Sequence, residues 1–187
     1  TWYRYIRDSG IAVAFEEGLM EYTPAFSYLF ASTTLLDSVI PKVTAIKLIP
    51  ITADVISTYF VYRIVRIKYP RGNKPYWAAG AFFILPTIFI NSAHWGQMDA
   101  LYTLFIIISL FLFLREKPLL GMLAYALSFS IKFQAIFFIP FLVILFLKKK
   151  IPWWQFLLIP TVYVVSCIPA VLLGASWQTV LTIYLGQ

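Results

Sequence analysis

The sequence predicts an all-α protein: a polytopic bundle of transmembrane helices, with a long first loop that carries short helices of its own. Three observations predict it. Of 187 residues, 61% are hydrophobic and only 12% are charged, whereas a soluble domain is close to half apolar and a quarter charged. The apolar residues fall into runs near the length of a bilayer crossing, about 20 residues at about 1.5 Å each. The basic residues fall into short clusters between those runs, the pattern that sets membrane topology. The formal net charge of +7 therefore points to a bilayer partner and not to nucleic acid.

Residues 1–43 open the chain and are too polar at first for a span, as "RYIRDSG" and "FEEGLMEYTP" show. Within them, "AFSYLFASTTLL" at 25–36 is a short interfacial helix candidate, with Pro24 at its start. The transmembrane bundle is expected over 44–173, with helices at about 44–64, 75–93, 98–114, 119–131, 134–147 and 152–173. The run 119–147 is too long for one span and is broken by "SIKFQ", so it reads as a hairpin with its tip at Lys132. Three basic clusters hold ten of the fifteen Lys and Arg: Arg63 to Lys74, Arg115 with Lys117, and Lys148 to Lys150. Placing all three in the cytoplasm sends the loop 1–43, the segment 91–98 and the Lys132 tip to the outer face. Residues 174–187 then begin another external loop. The chain opens on Thr1 with no signal-peptide pattern after it and stops at "LTIYLGQ"; both ends read as cuts in a longer protein.

Polar residues inside this apolar frame are the candidates for function. "NSAHWGQMDALY", Asn91 to Tyr102, places His94, Trp95, Gln97 and Asp99 between two apolar runs. If helical, His94 and Gln97 share a face, as do Trp95 and Asp99. The bland alternative is an interfacial tryptophan and a carboxylate that caps helix 98–114. Lys132 and Gln134 form the second insertion; Lys132 is either a snorkelling anchor or a cation held toward a phosphate. Asp54 sits mid-helix with Lys47 two turns before it. An intramembrane carboxylate faces the bundle interior with a partner, so Asp54 is either paired structurally, with Lys47 or another helix, or in contact with substrate. One His and one Cys make no zinc site; Cys167 reads as packing. No phosphate-binding glycine loop or nucleophile elbow is present, and no cofactor is expected.

Two of these stretches, "NSAHWGQMDALY" and "SIKFQAIFFIPF" about thirty residues later, resemble the integral-membrane glycosyltransferases of the GT-C superfamily. The resemblance is to bacterial mannosyltransferase-like proteins related to the GPI mannosyltransferases, and more faintly to the dolichyl-phosphate-glucose glucosyltransferases. "EYTPAFSYL" resembles their Tyr-Pro-Pro segment, and "AIKLIPITADVISTYFVYRIVR" their second membrane helix. Four motifs in order cover nearly the whole chain. The resemblance implies a GT-C-like core in a bacterial plasma membrane, working on the extracytoplasmic face. It implies transfer of a mannose- or glucose-type hexose, with inversion, from a polyprenyl-phosphate sugar to a lipid or glycan acceptor. Lys132, Gln134, His94, Gln97, Asp99 and Trp95 would then bind donor phosphate or sugar. It also places the catalytic Asp after a first membrane helix, upstream of Thr1. Asp8 is the nearest carboxylate but out of register, and Glu16, Glu17 and Glu21 are further off, so the chain as printed is expected to be inactive.

Two other readings fit the same residues: a transporter or flippase subunit with Lys132 and Asp54 on its path, and an accessory subunit whose polar groups only pack helices.

Overall fold

The computed structural model describes residues 2–18 and 22–185; Glu21 and the last two residues of the expected loop 174–187 lie outside them. Helix accounts for 82% of the chain, and no strand occurs among the described residues. Two helical stretches, Lys42–Lys68 and Trp153–Leu172, are long and apolar enough to cross a membrane. The bent pair Lys74–Phe83 and Pro86–His94 makes a third if taken together. In the first two, only 22% of the most apolar stretch is buried, so most of that surface faces outward, as a lipid-solvated helix requires. The protein is an all-helical membrane bundle.

The first loop is helical. Helix α1, Trp2–Glu16, turns at Gly10 (φ +84°) and buries Tyr3, Ile6, Ala14 and Phe15. Its inner residues pack with Tyr163, Cys167 and Ala170 of α9, Leu158–Leu172, and with Val180 of α10, Trp177–Thr182. Helix α2, Pro24–Ser32, begins with proline in its first turn under a Thr23 cap that accepts from the Phe26 amide at 3.4 Å. The apolar stretch 25–36 continues past it as a 3₁₀ turn, Thr33–Leu36. The Thr23 hydroxyl donates to the Ile131 carbonyl at 2.9 Å. That bond ties the first loop to the end of α7, Pro118–Ile131.

Helix α3, Lys42–Lys68, would be about 40 Å long at 1.5 Å per residue. Arg66 and Lys68 complement the negative end of its dipole. The run 75–93 is not one straight helix. Helix α4, Lys74–Phe83, ends before Pro86, which starts the short α5, Pro86–Phe89. A π turn, Ile90–His94, follows, and the two halves are bent by 45°. Proline forces the break because its ring cannot continue the preceding turn.

Helix α6, Asp99–Leu114, packs between α3 and α7. Ala53, Ala100, Leu101, Leu104 and Ile131 form the core where the three meet. After α7 the chain extends at Lys132 (φ −151°, ψ +134°) and returns through a 3₁₀ segment, Phe133–Phe138, into α8, Ile139–Leu147. Met122 and Tyr125 meet Ala135 and Leu142 in the fold between them. At the opposite end of α3 and α6, Arg63, Arg66 and Arg115 line one groove.

Gly121 lets α6 and α7 approach. A Cβ there would stand 2.9 Å from Phe113 Cε1, and the Ser109 hydroxyl donates to the Gly121 carbonyl at 2.8 Å. Gly121→Val is expected to destabilise by about 1–3 kcal/mol through overpacking, read as a lower thermal midpoint in detergent. Phe113→Ala in the same chain should restore part of the loss; no restoration would place the strain elsewhere.

Candidate active site

The segment between α5 and α6 is shaped by its backbone. In the π turn the Trp95 amide donates to the Ile90 carbonyl at 2.9 Å, and the Gln97 amide donates to Asn91 at 3.0 Å. Such turns recur at functional sites because they re-aim side chains out of the helical register. Gly96 closes the turn at φ +67°, where side-chain-bearing residues are disfavoured. A Cβ on it would lie 3.1 Å from Lys47 Cγ. Gly96→Ala is therefore expected to cost about 1–2 kcal/mol and to lower the thermal midpoint, with Gly96→Asn losing less. Equal losses for the two would mean that the left-handed backbone is not the cause.

Lys47 does not partner Asp54. Helical side chains point back toward the N-terminus, so Lys47 leans away from Asp54 and lies along Gly96. No ion pair joins the two among the described residues.

Lys132 and Asp99 are paired, Nζ to Oδ1. The pair joins two helix ends of opposite polarity. Asp99 is the first residue of α6, where the dipole favours an anion, and Lys132 ends α7, where it favours a cation. The capping role weighed for Asp99 is not the one it takes: Met98 holds the cap position with no side-chain cap bond. Lys132 Nζ also lies 6.0 Å from the centre of the Tyr102 ring, at the edge of cation–π range. With side-chain exposures of 27% and 31%, both ions keep a face open to a ligand.

That face opens on a cavity of about 390 Å³, lined by Trp2, Tyr22, Phe26, Phe30, Ile46, Gly96, Gln97, Met98, Asp99, Ile131 and Lys132. The volume lies in the range of small-molecule sites. Tyr22 and Phe26 have ring centres 4.6 Å apart, and Trp2 meets Tyr22 edge-on at 5.7 Å. One wall is thus aromatic and the other carries the ion pair. The structure brings Gln97, Asp99 and Lys132 to this cavity. His94, Trp95 and Gln134 are exposed and stand outside its lining. The aromatic wall was not among the residues singled out from sequence, although Tyr22, Phe26 and Phe30 recur at helical spacing.

A smaller cavity of about 180 Å³ adjoins it and shares Asp99. Asp54, Asn91, Ser92, Thr87 and Thr103 line it, with Phe82 and Ile88. Asp54 is 8% exposed and Ser92 2%.

Among the described residues, the other carboxylates do not line these cavities. The Arg7 guanidinium beside Asp8 donates to it at 2.7 Å and holds its carboxyl below the usual range. A carboxylate so stabilised is a poor proton acceptor. Arg7 also holds Asp37 at 3.1 Å, and Tyr3 donates to Asp37 at 3.0 Å. Glu17 accepts from the Tyr5 hydroxyl. Glu16 packs beside Gly174.

Fold and site together define an all-helical membrane protein with a polar, ion-paired pocket at one end of its bundle. The chain belongs to the alpha-(1->6)-mannopyranosyltransferase family: the model of that family's N-terminal domain matches residues 14–148, more than half of the chain. Comparison with curated proteins and with solved structures finds no match. Membership makes the protein a glycosyltransferase, with a sugar donor and an acceptor as partners, and lends the transporter reading no support.

Proposed function

We propose that the protein transfers a mannosyl residue, with inversion, from a polyprenyl-phosphate sugar to a lipid or glycan acceptor at the extracytoplasmic surface. The observation that carries this reading is the Lys132–Asp99 pair facing an aromatic-walled cavity in a membrane bundle. The aromatic wall suits an isoprenoid and the ammonium suits one phosphate.

In the reaction the acceptor hydroxyl attacks the anomeric carbon, and the bond from that carbon to the phosphate oxygen breaks. Negative charge grows on the departing polyprenyl phosphate, where Lys132 stabilises it. Gln97 contacts sugar hydroxyls or phosphate from the same wall. The acceptor's proton passes to a general base, the first-loop carboxylate that the family resemblance implies. Asp99 serves as a positioning residue that fixes Lys132.

The test supplies polyprenyl-phosphate mannose or GDP-mannose to membranes carrying the protein together with the upstream first-loop base that the family resemblance implies. Transfer from the first alone is expected; efficient direct use of the nucleotide sugar would overturn the proposal. Sidedness has its own test. Trp95 is 66% exposed, so Trp95→Cys should react with an impermeant maleimide from outside the cell, and labelling from the cytoplasm alone reverses the orientation.

A further inference from the structure

We infer that the small pouch beside Asp99 is a monosaccharide compartment: it takes the hexose ring of the lipid-linked donor while the larger cavity takes its phosphate and isoprenoid. The inference rests on the donor reading above and assigns a place to the sugar within it. The pouch is lined by a buried hydroxyl that lacks a well-formed hydrogen bond. Ser92 Oγ is buried and lacks a hydrogen bond of good geometry; the group it comes nearest to answering is the Asp54 carboxylate, which lines the same pouch. A buried polar group left unmatched destabilises the fold by about 1–3 kcal/mol. One such hydroxyl beside a buried carboxylate, both facing one cavity, marks a place that a ligand with hydroxyl groups would complete.

The chemistry of the lining selects the ligand. Among the described residues no Lys, Arg or His lines the pouch, while Asp54 and Asp99 do; a phosphate would be repelled there. Carboxylates accept from vicinal hydroxyls, and Asn91, Ser92, Thr87 and Thr103 can donate and accept. Phe82 adds an apolar face for the C–H side of a ring. A cavity of about 180 Å³ is below the range for drug-sized ligands and suits a single sugar ring. The π turn Ile90–His94 supplies Asn91 and Ser92 from one segment.

Position supports the same division. The donor's sugar and phosphate are joined through one bridging oxygen, so their compartments must touch. They touch at Asp99, which lines both cavities and holds Lys132 toward the larger one.

The experiment compares binding of polyprenyl-phosphate mannose with bare polyprenyl phosphate to the purified protein in nanodiscs. Wild type should prefer the mannosylated lipid. Asp54→Asn and Ser92→Val should lose that preference by about tenfold or more while binding the bare lipid as before. Thr103→Val, on a third wall, is the substitute if either variant fails to fold by size-exclusion and thermal unfolding. Preference retained in all three, or both lipids weakened equally, overturns the compartment. A sodium-dependent thermal shift lost in Asp54→Asn with sugar preference intact would make the pouch a cation site and overturn it too. Wild type that binds neither lipid would instead sink the donor reading, a different failure from losing the preference.

Discussion

Lys132→Ala, in the protein that carries the first-loop base implied by the family resemblance, is expected to reduce mannosyl transfer by about a hundredfold or more while leaving the bundle folded. The size follows from charge. Removing one preorganised donor from a developing oxyanion costs on the order of 10²–10³ in rate, and among the described residues Lys132 is the only cation lining the main cavity. The loss is compounded by what stays behind. Without the ammonium, the Asp99 carboxylate faces the donor phosphate unopposed, and like charges at close range weaken binding as well as turnover. Both kcat and donor KM should therefore worsen. Folding should survive, because the pair is about a quarter to a third exposed, and partly exposed pairs contribute far less than buried ones. The neighbouring anchor, Thr23 on the Ile131 carbonyl, does not involve the Lys132 side chain. Lys132→Arg should recover part of the activity, since it keeps the charge but replaces a compact ammonium with a planar fork. Wild-type turnover in Lys132→Ala would end the phosphate role.

How much of this was legible in the sequence differs from residue to residue. Helix α3 is legible because an apolar run of span length ends in Arg66 and Lys68, which suit both the membrane boundary and the helix dipole. The start of α2 is legible from Thr23 and Pro24, a cap and a first-turn proline. The run 75–93 is half legible: Pro86 announces a break, but hydropathy averages over it, and nothing in composition encodes a π turn. Gly96 signals a turn without stating that Lys47 will lie against it. The Lys132–Asp99 pair joins residues 33 apart, a distance over which helical periodicity is silent. Only the antiparallel packing of α6 on α7 brings the N-terminus of one beside the C-terminus of the other. Asp54 shows the limit most clearly. On one helix Lys47 is its natural partner by stripe, yet side-chain direction turns Lys47 away, and the groups that face Asp54 come from the π turn and α6. Local pattern finds polar residues that need explaining; tertiary packing decides which of them meet.

Asp99→Asn should separate binding from turnover in the opposite sense to Lys132→Ala. The substitution keeps size and shape but removes the charge that neutralises Lys132. An ammonium without its counter-ion attracts a phosphate more strongly, so bare polyprenyl phosphate should bind as tightly as to wild type or tighter. Transfer should nevertheless fall by about tenfold or more, because a misplaced catalytic group is costly even when present. The two residues then act as a unit. In a double-mutant cycle, the Lys132→Ala and Asp99→Asn losses should fall short of additive by about 1–3 kcal/mol, the coupling seen for residues in contact. The same variant separates positioning from base catalysis. A base removed by Asp→Asn takes its ionisation from the pH dependence of kcat, whereas a positioning residue lowers kcat at every pH and leaves the profile's shape intact. An Asp99→Asn protein that turns over normally, or that loses affinity for the lipid phosphate along with Lys132→Ala, would leave the ion pair a device for joining two helix ends and nothing more.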